Sequence, residues 1–313
     1  MSDGDERQDL LARLSPHSFS RRYRLFAGLD AGFTEMWTRH VATLFARPQL
    51  DMRSRLLVLV GQYTMTERFG PLEETIDAAI REGVERGHVL EIILQCYVYA
   101  GQWPVAAATE VFARVVARGP DPQRLDATAT PPRDLDRERE TWSPTDRVDP
   151  RLENLLARYG WKGISTGLRL RPGHHLNLLD TLDALDPEFL QSWLDAVYEE
   201  MYSRSRIDDR TRLLCVVGNC LAVGEGHQSR RHMRGALRNG VTPRQLLELV
   251  FQTTAIFGHP HLMPLAVDDL VRIVDDMGML EELVAPGRIG DVRRIVAARV
   301  ARRAGIEDME TVV

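Results

Sequence analysis

Lysine is almost absent from this chain, and cysteine is scarce. Lys162 is the only lysine among the 40 basic residues. A solitary lysine can serve as a Schiff-base nucleophile, but a general preference for arginine explains the count more simply. The three cysteines form no closely spaced pair and no disulfide framework, as expected of a protein from the reducing cytoplasm.

Further absences exclude whole function classes. The net charge of −5 argues against a dedicated nucleic-acid surface, which requires a basic stripe. No apolar run approaches the roughly 20 residues of a membrane-spanning helix, and the polar start MSDGDERQ is unlike a signal peptide. We therefore expect a cytoplasmic protein with neither a nucleic-acid nor a membrane partner.

The pattern of apolar residues and helix-end signals predicts an all-α protein. Thr242-Pro243-Arg244-Gln245 has the composition of a capping box with proline in the first turn. Glycines at 83, 240 and 258 are suited to helix ends. The predicted helices are 54–65, 71–82, 228–239, 243–257, 261–276 and 291–303, and no segment has a convincing strand pattern.

The same helical pattern occurs twice. Residues 51–61 align without a gap with residues 208–218, from Asp51 at Asp208 to Gly61 at Gly218. An earlier match, Leu29–Phe33 with Leu185–Phe189, needs an offset one residue shorter. Such long-range self-similarity predicts a duplicated structural unit.

The repeat divides the chain into six segments. The predicted segments are an N-terminal extension (1–27), a first unit (28–118), an exposed, extended and partly mobile linker (119–150), a helical connector (151–183), a second unit (184–277) and a helical tail (278–313).

The second unit resembles the carboxymuconolactone decarboxylase family of the alkylhydroperoxidase D-like superfamily. The resemblance rests on Ile207–Arg212, His232–Thr242 and Ala255–Pro260, and more weakly on LDMRSRLL and YVYAGQWP in the first unit. It implies tandem alkylhydroperoxidase D-like helical units, a small-molecule substrate and chemistry without cofactor or metal. It also implies six units per assembly, and hence a homotrimer of this two-unit chain.

One branch of that superfamily uses a Cys-x-x-Cys-x-x-x-His relay. The corresponding residues here are Glu225, Gln228 and His232. A carboxylate or an amide cannot replace a thiolate nucleophile, so thiol peroxidase chemistry is excluded by the sequence.

Histidines distinguish the two units. The second unit has His227, His232, His259 and His261, whereas the first has Gly70, Thr75, Gln102 and Pro104 at the aligned positions. Scaffold histidines would be expected in both copies. Their one-sided occurrence predicts a site in the second unit and a mainly structural first unit.

Three residues are the catalytic candidates. We expect His232, made more basic by Glu225, to move a proton near neutral pH. His227 lies at a glycine-flanked helix start, where it and free N–H groups could stabilise an enolate. A hydrogen-bonded core histidine and a surface loop residue are the alternatives for His232 and His227, respectively.

Further residues are candidates for contacting the substrate. These are Gln228, His259, His261, Gln252 and Cys220, with tryptophans 103, 142, 161 and 193 able to form an aromatic pocket or simply the core. Together, His232, His259 and His261 could hold a metal, but the chain offers no clearly spaced further ligand. The arginines that recur in both copies, such as Arg212, are expected to bind scaffold carboxylates.

The sequence thus predicts a cofactor-independent lyase or decarboxylase-like enzyme acting on a carbonyl- or lactone-bearing acid, in specialised metabolism. A proton-transfer enzyme (an isomerase, cyclase or dehydratase) remains an alternative, as does a non-catalytic ligand-binding or assembly protein.

Overall fold

The computed structural model describes residues 3–14, 18–119, 132–258 and 262–310. Its regular elements are α-helices, one π-helix and one 3₁₀ turn, and the described ranges contain no strand. The predicted all-α class is therefore confirmed. Within these same ranges, every helix is too short or too polar to cross a lipid bilayer.

The helices of the N-terminal half follow in this order: α1 (Asp3–Leu14), α2 (Ser18–Leu29), α3 (Ala31–Phe45), α4 (Met52–Met65), α5 (Phe69–Arg81), α6 (Arg86–Gln95), α7 (Tyr97–Ala100) and α8 (Gln102–Ala117). Between the units lie α9 (Leu135–Thr141), α10 (Pro144–Arg147), α11 (Leu152–Tyr159), α12 (Lys162–Leu170) and α13 (His175–Leu185).

The C-terminal half begins with α14 (Pro187–Trp193), which continues directly into the π-helix (Leu194–Met201). It then comprises α15 (Asp209–Ala222), α16 (Gly226–Arg238), α17 (Pro243–Phe257), α18 (Leu262–Asp276), α19 (Leu280–Leu283), the 3₁₀ turn (Pro286–Arg288) and α20 (Ile289–Glu310).

Side-chain caps fix the starts of the central helices. The Asp51 carboxylate accepts a hydrogen bond from the Ser54 main-chain N–H at 2.9 Å, which starts α4. Asp208 does the same for Thr211 at 2.8 Å, which starts α15. Thr242 forms the predicted capping box at the start of α17. These carboxylates and hydroxyls satisfy N–H groups that the first helical turn leaves without partners.

Helices α4 and α15 cross at the centre of the core, and glycine permits their close approach. A Cβ atom on Gly61 would lie 2.4 Å from the Asn219 side chain, and one on Gly218 would lie 2.8 Å from Val58. The two units therefore share one core, although their origin by duplication remains a prediction.

Buried ion pairs also join the two units. Arg55 of the first unit binds Glu248 of the second at 3.4 Å. Arg212 of the second binds Glu91 of the first at 3.1 Å. All four side chains are at most 1% exposed. Removing one partner would leave a buried charge uncompensated, so these arginines hold the scaffold together.

The predicted linker 119–150 is folded in its second half, and the prediction was wrong there. Helices α9 and α10 lie in this segment, and Trp142 is completely buried. The Trp142 indole N–H donates to the Ser165 hydroxyl at 3.1 Å. A single large aromatic side chain buried against α12 outweighs the proline-rich and charged composition that suggested an extended chain.

Candidate active site

A cavity of about 560 Å³ lies between the two units, mostly against the second. Its walls come from α7, the end of α12, α14 with the π-helix, and the helices α15 and α16. The exposed residues Val223 and Glu225 belong to its lining, so the loop between α15 and α16 lies at its rim.

Glycines bring the connector helix α12 against the cavity. A Cβ atom on Gly235 of α16 would lie 2.1 Å from the Leu170 main-chain oxygen. This approach holds the end of α12, and hence Arg171, beside α16. On the opposite side, Gly167 accommodates the buried His175 ring, whose Nε2 would lie 2.0 Å from a Cβ at that position.

Aromatic rings form one wall of the cavity. The Trp193 and Tyr198 rings meet edge to face with their centroids 4.9 Å apart, and the Tyr198 and Tyr202 centroids are 5.8 Å apart. His175 supports Tyr198 from behind at 4.7 Å. The π-helix supplies Tyr198, in keeping with the frequent occurrence of π-helical turns at functional sites.

His232 lies on α16, is 4% exposed and lines the cavity. Its Nε2 is 3.2 Å from the Tyr99 hydroxyl of the first unit, and that hydroxyl is 2.6 Å from the Tyr202 hydroxyl. Its Nδ1 is buried and has no hydrogen-bond partner in the described part of the chain. One ring nitrogen therefore belongs to a chain of hydroxyls, while the other has no partner among the described residues.

The expectation that Glu225 makes His232 more basic was wrong. Burial, with the nearby Arg171 and Arg231 charges, lowers the pKa of His232 to about 3. Desolvation disfavours the charged imidazolium, and two cations add to that effect. Glu225 is exposed at the cavity rim, too far into solvent to reverse it. In the structure without a ligand, His232 is a neutral imidazole at physiological pH.

Two arginines give the cavity a positive potential. Arg171 is 8% exposed, and it donates a hydrogen bond to the Tyr198 hydroxyl at 3.5 Å. The Nε atoms of both Arg171 and Arg231 are buried without a hydrogen-bond partner in the described ranges. Desolvation by burial, together with repulsion from Arg171, lowers the pKa of Arg231.

The sequence-derived candidates occupy different places. Glu225, Gln228, His232 and Cys220 line the cavity. Burial raises the pKa of the Cys220 thiol to about 12, so the thiol is not a nucleophile near neutral pH. The histidines 259 and 261 lie outside the described residues.

Two other candidates lie away from the cavity lining. His227 is exposed on the outside of α16, with its Nδ1 2.9 Å from an Arg230 nitrogen. Gln252 is completely buried, and its amide oxygen accepts from Arg55 at 3.1 Å. Both side chains are engaged in protein contacts in these positions.

Five residues of the cavity lining were not among the candidates derived from the sequence: Tyr99, Tyr198, Tyr202, Arg171 and Arg231. Tyr99 was visible in the motif YVYAGQWP of the first unit, but nothing local showed that it would reach His232. Arg171 lies outside both repeated units, in the connector. Of the four tryptophans considered, Trp193 lines the cavity, while Trp142 belongs to the core and Trp103 is 78% exposed.

The aligned region of the first unit is nearly filled. Its cavity has a volume of about 110 Å³ and is lined by Thr75 and Glu74, which align with His232 and Arg231. Here the lining arginine, Arg22, is 3.6 Å from Glu74. The first unit thus has neither the histidine nor the unpaired positive charge.

The described residues contain no cluster of three or more histidine, cysteine or acidic side chains suited to a metal. The alternative metal site of His232, His259 and His261 includes two residues outside the described ranges.

Comparison with known proteins gives two matches. The sequence profile of the carboxymuconolactone decarboxylase family matches residues 187–267. The 4-carboxymuconolactone decarboxylase of Acinetobacter baylyi (strain ATCC 33305 / BD413 / ADP1) is 28% identical over 111 residues, covering 35% of this chain and 82% of the relative. The matched range contains the π-helix, α15 and α16, which contribute to the cavity lining. The second unit of this chain is therefore similar to the carboxymuconolactone decarboxylase family.

Proposed function

We propose that this protein is a decarboxylase-like enzyme that transfers a proton through His232 in the second-unit cavity. The observation that carries the proposal is the Nδ1 atom of His232, which is buried, unpartnered and part of an imidazole lining a cavity. An unsatisfied buried polar atom is costly. A substrate group that bonds to it would remove that cost.

In the proposed reaction, the substrate is an acid with a carbonyl or lactone group. Cleavage of its C–C bond to the carboxylate, or removal of a proton next to the carbonyl, moves an electron pair into the carbonyl as an enolate. In the exchange reaction, His232 Nδ1 accepts the proton from carbon and returns it. In the decarboxylation, CO₂ leaves, and His232 Nδ1 takes a proton from water and delivers it to the enolate carbon. The proposed step uses the tautomer in which Nε2–H donates to the Tyr99 hydroxyl and Tyr99 donates to Tyr202, which leaves Nδ1 as the base.

The first unit takes part in this arrangement through Tyr99. Burial and the neighbouring Tyr202 raise the pKa of Tyr99 well above its ordinary value. The hydroxyl consequently stays protonated and holds the imidazole in place as a positioning residue. The decarboxylase reaction and the simpler proton-transfer reactions share this step, so both remain within the proposal.

Hydrogen–deuterium exchange tests the shared step without knowledge of the final product. A panel of keto acids and carboxylactones is incubated in D₂O, and NMR records both loss of the proton next to the carbonyl and loss of the carboxylate. We expect His232→Gln to slow the reaction by about 10²–10⁴-fold, the usual contribution of a general acid–base residue. The matched control, His40→Gln, changes an exposed histidine of α3 and should retain the rate.

A ligand-binding protein is the second candidate. The observation that favours it is the pKa of His232 at about 3, because so weak a base accepts a proton poorly near neutral pH. Saturable binding of an acid with neither exchange nor decarboxylation, in wild type and His232→Gln alike, would establish binding and refute the enzyme.

We also propose the homotrimer that the resemblance implies. Its support is a pair of exposed apolar side chains at aligned positions, Leu29 at 76% and Leu185 at 75% exposure. Light scattering should give three times the chain mass of 35.5 kDa, and a monomer in dilute solution would refute the proposal.

A further inference from the structure

We propose that the cavity binds a planar aromatic acid carrying a single carboxylate. This inference rests on the proposed function of the same cavity and specifies its substrate class. The carboxylate lies between Arg171 and Arg231, and the ring lies against the wall formed by Trp193, Tyr198 and Tyr202.

The two arginines of the cavity lack a carboxylate partner in the described part of the chain. Arg171 is 8% exposed, and within the described ranges neither it nor Arg231 forms an ion pair. Two other arginines of α16, the helix that carries Arg231, form ion pairs. Arg230 pairs with Asp269 at 3.7 Å, and Arg234 pairs with Asp276 at 3.2 Å. A guanidinium removed from water without an anion is unfavourable. A carboxylate is the ligand group whose geometry and charge match it.

The number of charges limits the ligand to one carboxylate. Arg171 and Arg231 are the cationic side chains of the lining, and in this proposal both bind the same carboxylate. A second carboxylate would find no further cation among the described lining residues, and Glu225 at the rim would repel it.

The aromatic wall beside these charges selects a flat, apolar body. Trp193 and Tyr198 meet edge to face at 4.9 Å, which leaves ring faces and edges for stacking with another aromatic ring. The remaining lining includes Leu178, Leu213 and Met65. A cavity of about 560 Å³ is in the size range of sites for ligands of several fused or linked rings.

The anchored charge also acts on His232. Arg171 and Arg231 lower the pKa of its imidazole after the larger effect of burial. A carboxylate bound between them offsets part of their field, so the pKa of His232 rises when the acid binds. The ligand that fits the arginines therefore makes the neighbouring base more effective.

Isothermal titration calorimetry of the full chain tests the inference with three probes of one shape. These are 2-naphthoate, its neutral analogue 2-naphthamide, and the dianion naphthalene-2,6-dicarboxylate. We expect 2-naphthoate to bind, and the other two to bind at least tenfold more weakly. Cyclohexanecarboxylate, which has the charge without the flat ring, should also be at least tenfold weaker.

Substitution of each arginine tests whether it binds the carboxylate. Arg231→Met and Arg171→Met should each weaken the binding of 2-naphthoate at least tenfold. The affinity of each variant for 2-naphthamide should stay within threefold of the wild-type value. Arg234→Met, on the same helix but paired outside the cavity, should leave both probes unchanged. Since Arg171 is deeply buried and its variant can fail to fold, the partly exposed Arg231 provides the decisive comparison.

Equal affinity for 2-naphthoate and 2-naphthamide, tighter binding of the dianion, or full affinity in Arg231→Met would overturn the inference. Arginine-dependent binding without any exchange activity would support the inference and refute the proposed function. Exchange on aliphatic acids that depends on His232, with no binding of 2-naphthoate, would support the proposed function and refute the inference.

Discussion

The burial of His232 should be measurable as a pH dependence of stability. Its pKa is about 3 in the folded protein and 6.5 as the ordinary value. The unfolded chain therefore binds one more proton than the folded chain between these two values. The free energy of unfolding should rise with pH across this window, with the full contribution present above 6.5 and progressively lost as the pH falls towards 3.

The size of the effect follows from the shift. Each pKa unit corresponds to about 1.36 kcal/mol. Lowering the pH from about 7 to about 5 takes the imidazole through its unfolded-state pKa. The free energy of unfolding of the wild type should fall by about 2 kcal/mol from His232 alone. His232→Gln cannot titrate. Relative to wild type, this variant should gain about 2 kcal/mol over the same pH interval, whatever its stability at pH 7.

Urea unfolding followed by circular dichroism at several pH values supplies the comparison. Taking the difference between the variant and wild type removes the contribution of all other titrating groups. His175→Gln should show the same gain, because burial also lowers the pKa of His175 to about 3. Parallel curves for wild type and His232→Gln would show that His232 titrates equally in the folded and unfolded chains, and the reasoning from its burial would be refuted.

Three further predictions concern the walls of the cavity and the scaffold. Gly235→Ala should destabilise the protein by about 1–3 kcal/mol through overpacking and should weaken 2-naphthoate binding. The control variant Gly290→Ala, at a position with open space around it, should do neither. Equal melting temperatures for the two variants would contradict this prediction. Tyr99→Phe should slow exchange about tenfold at a stability cost of about 1 kcal/mol. Rescue of the rate at a different pH would indicate a changed pKa of His232 instead, and an unchanged rate would remove Tyr99 from the mechanism. Glu91→Gln should cost about 3–5 kcal/mol in urea unfolding because it leaves Arg212 buried without its carboxylate, and a loss below about 1 kcal/mol would show that the pair is dispensable.

Helix starts and ends were predictable because their signals are local. Asp208 and Thr242 act within three residues of their own positions in the chain, so sequence alone contains the whole interaction. The linker was not predictable in this way. Trp142 donates to Ser165, which lies 23 residues further along the chain, and no local sequence pattern predicts a contact over that distance.

The candidate site was predictable only where it lies on one helix and its preceding turn. Glu225, Gln228 and His232 all line the cavity, as their spacing on and before α16 suggested. The charge and hydrogen-bond partners of His232 were not predictable. Tyr99 is 133 residues away in the chain, and Arg171 is positioned by a close helix approach that depends on the folded connector.

The π-helix gives the second unit a property that point substitutions alone would not produce. In the aligned part of the first unit, α3 (Ala31–Phe45) is α-helical throughout, while α14 leads into eight π-helical residues. The alignment of the two copies gains one residue between Phe189 and Asp208, a range that contains the π-helix. A π-helical turn closes its hydrogen bonds between residues five apart and so holds one residue more than an α-helical turn. Val41 and Phe45 line the small cavity of the first unit, and Tyr198 and Tyr202, 157 residues later, line the large one. The π-helix thus takes up an added residue while the side chains after it keep the places that their counterparts hold in the first unit.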